Sequence, residues 1–222
     1  MSASDKRINY IDKLKGFAIL AVVLGHTYQF CYGSTNALVF RGITAFHMYL
    51  FLFLSGVVIS TPPSYTKAGQ RCIRYLMPSI IIGTIYSLLV QGTGGIENWG
   101  AYLFRRLYWL ASGYWYLVVL TIFNLSLLLH RLNRNNRLVT DTMMAVFWYV
   151  VFLGLWKKGG DVGVALCMEH CTCFYPFFMF GHLLRKHNKL DLLIGNESLF
   201  SASLIGGFLL FFFQTDNHLA NT

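Results

Sequence analysis

The segment Tyr10–His26, YIDKLKGFAILAVVLGH, decides the fold of this chain. A charged helix start leads directly into an apolar stretch, and that stretch carries a histidine inside it. At 100° per residue, Lys15 and His26 project from nearly the same face of a helix. The rise per residue separates them by roughly 16 Å, about half the hydrocarbon thickness of a bilayer. An ionisable side chain at that depth marks a candidate functional site. The alternative is a histidine that hydrogen-bonds inside a helix bundle for packing.

The composition of the chain places it in a membrane. Charged residues are 12% and aromatic residues 17% of the 222 positions, and mean hydropathy is +0.51. We therefore predict an all-α, polytopic transmembrane helix bundle, with one membrane-embedded domain over residues 1–222 and the lipid bilayer as its surroundings. Seven spans are predicted: Gly16–Tyr32, Ile43–Ser60, Tyr75–Val90, Tyr114–His130, Asp141–Trp156, Val164–Leu184 and Leu199–Phe213.

The basic residues set the orientation of these spans. With the N-terminus in the cytoplasm, thirteen of the eighteen lysines and arginines fall on the cytoplasmic side, as the positive-inside rule requires. The net charge of +9 is therefore a topology signal. It is spread over alternate short loops and not gathered into one stripe, so we predict no nucleic-acid partner.

A second histidine lies in the segment FHMYLFLFLSG, residues 46–56. His47 would sit about one turn inside the outer boundary of span two, and antiparallel neighbours joined by a short loop normally pack together. Both imidazoles are then able to line one outward-facing cavity, where a pKa near neutrality suits proton transfer. Hydrogen bonding between helices is the alternative.

Two charged patterns lie at the cytoplasmic side. Asp12 and Lys15 have the i,i+3 spacing of an ion pair at the membrane surface. Lys67, Arg71 and Arg74 share one helical face. Anchoring to the interface and to anionic lipid headgroups explains both patterns. The functional alternative is that these cations bind the phosphates of a nucleotide-bearing donor.

The tract CMEHCTC, residues 167–173, resembles a metal site in composition only. Its ligand types lie on one apolar helix, whereas tetrahedral zinc usually takes ligands from two separated pairs, so we predict no metal. We expect Glu169 and His170 to form a polar patch that contacts the acceptor substrate. The chain has no serine-hydrolase elbow, zinc-protease motif or Walker-type loop.

These segments resemble the acyltransferase-3 family of integral membrane acyltransferases. The resemblance rests on Tyr10–His26 and FHMYLFLFLSG, and extends to KAGQRCIRYLMP (67–78), WYL (115–117) and YPFFMFGHLLRK (175–186). It implies a multi-pass protein of the bacterial cytoplasmic (inner) membrane that moves an acyl group, commonly acetyl, from cytoplasmic acyl-CoA to a hydroxyl of a glycan or lipid-linked sugar. Acetyl-CoA is then a donor substrate, and no cofactor is bound permanently.

By position, the resemblance assigns roles to several residues. The basic residue and first histidine of the family motif fall on Lys15 and His26, and the second histidine on His47. Arg71 and Arg74 match the basic turn. We expect His26 to act as general base or acyl relay, His47 to place the acceptor, and Lys15 with Arg71 or Arg74 to hold the phosphates of the donor.

The chain departs from the family in three respects. Lys15 stands where arginine is usual, which keeps the charge and loses the planar fork suited to phosphate. Tyr49 replaces the usual proline. Family members have about ten spans, so we expect this chain to be truncated at its C-terminus. Two alternatives to an active enzyme stay open: a carrier or exporter of an anionic compound, and an inactive truncated family member.

Overall fold

The computed structural model describes residues 9–32, 38–91, 115–133 and 137–190. Among these residues the regular elements are helical and there is no β-strand, which confirms the predicted all-α fold. A helix satisfies its own backbone hydrogen bonds, as a segment inside lipid must. The α-helices of the described residues are α1 (Asn9–Tyr32), α2 (Leu38–Val58), α3 (Tyr65–Gln91), α4 (Trp115–Ser126), α5 (Leu138–Lys158), α6 (Gly160–Ala165) and α7 (Met168–Lys186), and a 3₁₀ helix at Leu129–Leu132 follows α4.

The first five predicted spans coincide in order with α1 to α5. Helix α3 runs unbroken through Pro78, so the third span is the second part of a longer helix that begins in the basic segment. Of the described helices, Trp115–Leu132 and α5 are long and apolar enough to cross a membrane, and α2 contains a shorter apolar stretch at Phe46–Val58. The seventh predicted span, Leu199–Phe213, lies outside the described residues.

The sixth predicted span, Val164–Leu184, is not one continuous helix. Helix α6 ends at Ala165 and α7 begins at Met168. Between them Cys167 has a φ of 53°, a left-handed conformation that interrupts a right-handed helix. The predicted span is therefore divided into two helical segments, and an apolar pattern carries no signal for the single left-handed residue that divides it.

The contacts of the chain group it into two compact units, Met1–Ser60 with Phe177–Thr222, and Thr61–Pro176. In the first unit α1 packs along α2. Phe17 of α1 stacks on Phe46 of α2, with ring centroids 6.1 Å apart. The helix pair that carries both predicted histidines is therefore a packed pair. The prediction of one domain over the whole chain stays a prediction.

Two glycines allow a close helix crossing in the first unit. A Cβ atom on Gly56 would fall on the carbonyl oxygen of Phe178, and one on Gly181 would fall on the carbonyl oxygen of Phe53. The backbones of α2 and of the final turns of α7 therefore touch, as is common where small residues face each other between membrane helices. Both glycines belong to motifs that carry the family resemblance, LSG in α2 and FGH in α7.

The second unit has an aromatic core. Here α3 packs against α4, and α4, α5 and the first half of α7 each contribute one buried ring. The Tyr175 ring lies edge-on to Phe123 and Phe152, with centroid distances of 5.1 Å and 5.0 Å, and all three side chains are buried. Edge-to-face rings of this kind contribute packing energy beyond the area they bury.

Candidate active site

His26 on α1 and His47 on α2 form the first grouping of candidate residues. The two side chains lie close enough to interact electrostatically. The helices approach closely beside them, since a Cβ atom on Gly25 would lie 3.3 Å from Ile43 Cγ2. His26 is exposed, whereas His47 is only 9% exposed. The pair therefore combines one accessible imidazole with one held inside the helix pair.

The hydrogen bond of His47 defines its tautomer. Its Nδ1 lies 2.6 Å from the carbonyl oxygen of Ile43, one turn earlier on the same helix. A carbonyl oxygen only accepts hydrogen bonds, so a neutral His47 carries its proton on Nδ1 and its lone pair on Nε2. The bond also restrains the orientation of the ring, because the helical carbonyl is fixed. Nε2 is thus the nitrogen that is able to accept a hydrogen bond from a hydroxyl group.

Lys15 lies in the first turns of α1, just before the predicted span, and is half-buried. Burial lowers the pKa of Lys15, and the nearby Asp12 carboxylate offsets part of this by raising it, which leaves the pKa below the usual 10.5. Asp12 itself is exposed. A partly desolvated ammonium interacts more strongly with an anion than a fully hydrated one does. Lys15 thus lies at the start of the helix that carries His26, with an ammonium group that is partly removed from water.

The three basic residues of α3 are not equivalent. Lys67 and Arg74 are exposed, whereas Arg71 is half-buried. Arg71 Nη1 donates a hydrogen bond of 3.2 Å to Asn124 Oδ1 on α4. The structure therefore distinguishes Arg71 as the member of the basic face that is tied to a second helix.

Glu169 and His170 lie in the first turn of α7 and interact electrostatically with each other. Glu169 is exposed. The His170 ring lies against Trp115 of α4 at a centroid distance of 4.3 Å, and Phe174 stacks on the same indole at 5.3 Å. A carboxylate beside an aromatic surface has the mixture of polar and apolar groups typical of small-ligand sites. Trp115 belongs to the WYL motif, and the sequence carries no signal that assigns it to this site.

The cysteines of the CMEHCTC tract carry no metal site in the residues that the structure describes. Cys167 and Cys171 are buried, and Cys173 is exposed. No group of three or more histidine, cysteine, aspartate or glutamate side chains in the described ranges lies together as metal binding requires.

A buried polar pair was missed by sequence reasoning. His130 Nδ1, after α4, lies 3.1 Å from Asp141 Oδ1 in the first turn of α5, and both side chains are buried. A signal existed, because Asp141 is the one carboxylate in the fifth predicted span and a carboxylate in such a span needs a partner.

His182 was also missed, and for a different reason. Its Nδ1–H donates to the carbonyl oxygen of Ile59, just beyond the end of α2. That bond satisfies a carbonyl group near a helix terminus. No sequence signal exists for it, since the acceptor is a backbone atom 123 positions away.

The predicted residues thus form separate local groupings: His26 with His47, Asp12 with Lys15, Arg71 with Asn124, and Glu169 with His170 and Trp115. Arg74 joins none of them in the described part of the chain. The catalytic and binding roles assigned to these residues from the sequence stay predictions.

The all-helical fold of the described residues, with two stretches long and apolar enough to cross a membrane, is consistent with the class of helical membrane proteins. The sequence matches the family model of the acyltransferase domain Acyl_transf_3 over residues 8–220. That match covers nearly the whole chain, so the chain belongs to the acyltransferase-3 family. Comparisons with curated proteins and with solved structures return no significant match.

Proposed function

We propose that this family member is a membrane-bound O-acyltransferase of the bacterial cytoplasmic membrane. It moves an acetyl group from cytoplasmic acetyl-CoA to a hydroxyl of an extracytoplasmic glycan. Family membership supports acyl transfer. The observation that carries the proposed site is the juxtaposition of His26 and His47, because an accessible imidazole beside one of fixed tautomer suits the activation of a hydroxyl group.

The proposed donor site consists of cations near the cytoplasmic ends of α1 and α3. Lys15 and Arg71 are half-buried and so able to contact phosphate oxygens at reduced dielectric, with Arg74 as an exposed supplementary contact. Arginine offers a planar fork of donors that matches phosphate, and lysine offers a point charge. Each of the two cations is therefore a proposed contact for the phosphates of coenzyme A.

The proposed chemistry is a direct transfer. His26 accepts the proton of the acceptor hydroxyl as its oxygen attacks the thioester carbonyl carbon of acetyl-CoA. The carbon–sulfur bond then breaks, and the imidazolium returns the proton to the departing thiolate. The products are the glycan acetate ester and coenzyme A. His47 Nε2 accepts a hydrogen bond from the acceptor and helps to place it.

The proposed acceptor contacts are Glu169 and His170. The Glu169 carboxylate is exposed and able to accept hydrogen bonds from sugar hydroxyls. The position of the His170 ring against Trp115 adds a flat apolar surface. This assignment rests on the mixed polar and aromatic character of the patch.

Ester-linked acetate on surface glycans tests the proposal. Cells that express the chain are compared with cells that express His26→Ala at matched membrane levels. His187→Ala is the matched control, because His187 lies in the turn after α7 and has no proposed role. We expect acetate with the unmodified chain and with His187→Ala, and none above background with His26→Ala.

Two other results would contradict the proposal. Transfer at the unmodified rate by His26→Ala would remove His26 from the mechanism. Membranes containing the unmodified chain that consume no acetyl-CoA, yet move an anionic compound across the bilayer, would establish a carrier.

A further inference from the structure

Asn124 is a buried amide inside the apolar helix α4. It is 1% exposed, and it lies within a stretch apolar enough to cross a membrane. An amide removed from water is unfavourable unless its donor and acceptor groups are both hydrogen-bonded. The partners of Asn124 therefore indicate why the residue is there.

Both ends of this amide bond to α3. Asn124 Oδ1 accepts the hydrogen bond of 3.2 Å from Arg71 Nη1, and Asn124 Nδ2 donates one of 3.3 Å to the Ala68 carbonyl oxygen. The guanidinium only donates and the carbonyl only accepts, so the two bonds agree on a single orientation of the amide. Ala68 precedes Arg71 by three residues. Asn124 therefore links a backbone carbonyl of α3 to an arginine side chain about one helical turn further along the same helix.

The bridge restrains Arg71 without neutralising it. Its partner is an uncharged amide, and in the described residues the guanidinium makes no ion pair with a carboxylate. A guanidinium has five N–H donors, and the bond to Asn124 uses one of them. An anchored cation with donors remaining loses less conformational entropy when it binds an anion than a free arginine side chain does.

We propose that Asn124 is a positioning residue, which orients Arg71 toward the phosphates of the acyl-CoA donor. This inference rests on the proposed function and names the determinant of donor affinity within it. It also explains why Arg71, and not the exposed Lys67 or Arg74, is tied to a second helix.

The test is a double-mutant cycle on the full chain in membranes, with acetyl-CoA as the varied substrate. Asn124→Leu removes both hydrogen bonds at similar side-chain volume. We expect it to raise the KM for acetyl-CoA about tenfold, with little change in kcat. In an Arg71→Ala background the same substitution should have almost no further effect, since the residue that Asn124 orients is absent.

Two further variants separate positioning from a general effect on folding. Thr121→Val is the matched control. Thr121 is a buried polar residue one turn earlier on α4 whose hydroxyl donates to the Leu117 carbonyl of the same helix, and we expect an unchanged KM. Asn124→Asp keeps an oxygen acceptor for Arg71, but its carboxylate neutralises the guanidinium and cannot donate to the Ala68 carbonyl, so its KM should rise at least as much as that of Asn124→Leu. It also serves as the test variant if Asn124→Leu does not reach the membrane.

The outcomes are distinct. An unchanged KM for acetyl-CoA in Asn124→Leu would overturn the positioning role. So would an equal rise in KM when Asn124→Leu is introduced into the unmodified chain and into Arg71→Ala. Neither result would contradict the acyltransferase activity. If the unmodified chain neither binds nor consumes acetyl-CoA, the proposed function fails and the inference fails with it.

Discussion

The pair His26–His47 and the pair His130–Asp141 have opposite surroundings in the described structure. His26 and His47 lie on packed helices, and the His26 imidazole is exposed. His47 donates a hydrogen bond to the Ile43 carbonyl of its own helix. His130 and Asp141 are both buried and bond directly to each other across two elements. The first pair keeps one imidazole accessible, whereas the second holds both of its polar side chains inside the protein. The comparison indicates chemistry for the first pair and stabilisation for the second.

The largest effect that this comparison predicts is on activity. His26→Ala should lower acyl transfer by about 10²–10⁴-fold, the usual contribution of a general base. The variant should insert and fold normally, because His26 is exposed and its loss creates no buried cavity. Transfer rates and membrane levels measured on the same samples check both parts. A lost protein band alongside lost activity would instead assign His26 to stability.

Substitution in the buried pair His130–Asp141 should mainly lower stability. Asp141→Ala removes the carboxylate that hydrogen-bonds to a buried histidine, a loss that typically destabilises a protein by about 1–3 kcal/mol. We expect a clearly lower thermal-unfolding midpoint in detergent. Asp161→Ala is the control, since Asp161 is exposed at the start of α6, and it should unfold like the unmodified chain.

A double substitution sharpens this result. His130→Leu combined with Asp141→Leu removes both polar members of the buried pair, so it should be less destabilising than Asp141→Ala alone. A double variant with a lower thermal-unfolding midpoint than Asp141→Ala would contradict this expectation. It would show that the two side chains stabilise the fold by more than satisfying each other's hydrogen bonds.

The pairs also show how far the sequence alone could lead. The proximity of His26 and His47 was predictable from the sequence. Each is an isolated ionisable residue in an apolar run, and the two runs are close together in the sequence. Asp141 carried the same kind of signal. Asn124 and His182 did not, since each bonds to a distant backbone carbonyl, and periodicity carries no information on such a partner. The break at Cys167 was unpredictable because it depends on one left-handed residue.

The helix crossing in the first unit offers a test of packing without polar groups. Gly56→Ala places a methyl group against the Phe178 carbonyl, and we expect a loss of about 1–3 kcal/mol from overpacking. Gly154→Ala on α5 is the matched control. A Cβ there meets nothing within 4 Å, so alanine should be neutral or slightly stabilising. Equal unfolding midpoints for the two variants would contradict the close crossing.

The smallest predicted effect concerns Lys15 and pH. Burial lowers the pKa of Lys15 below 10.5, so its ammonium should lose its proton, and with it the attraction for phosphate, at a lower pH than an ordinary lysine. The kcat/KM for acetyl-CoA, which reports groups of the free enzyme, should therefore decline on the alkaline side below pH 10.5. Lys15→Arg stays charged throughout that range and should remove the decline. A decline of the same midpoint in both proteins would assign it to another group and leave Lys15 as an interfacial anchor.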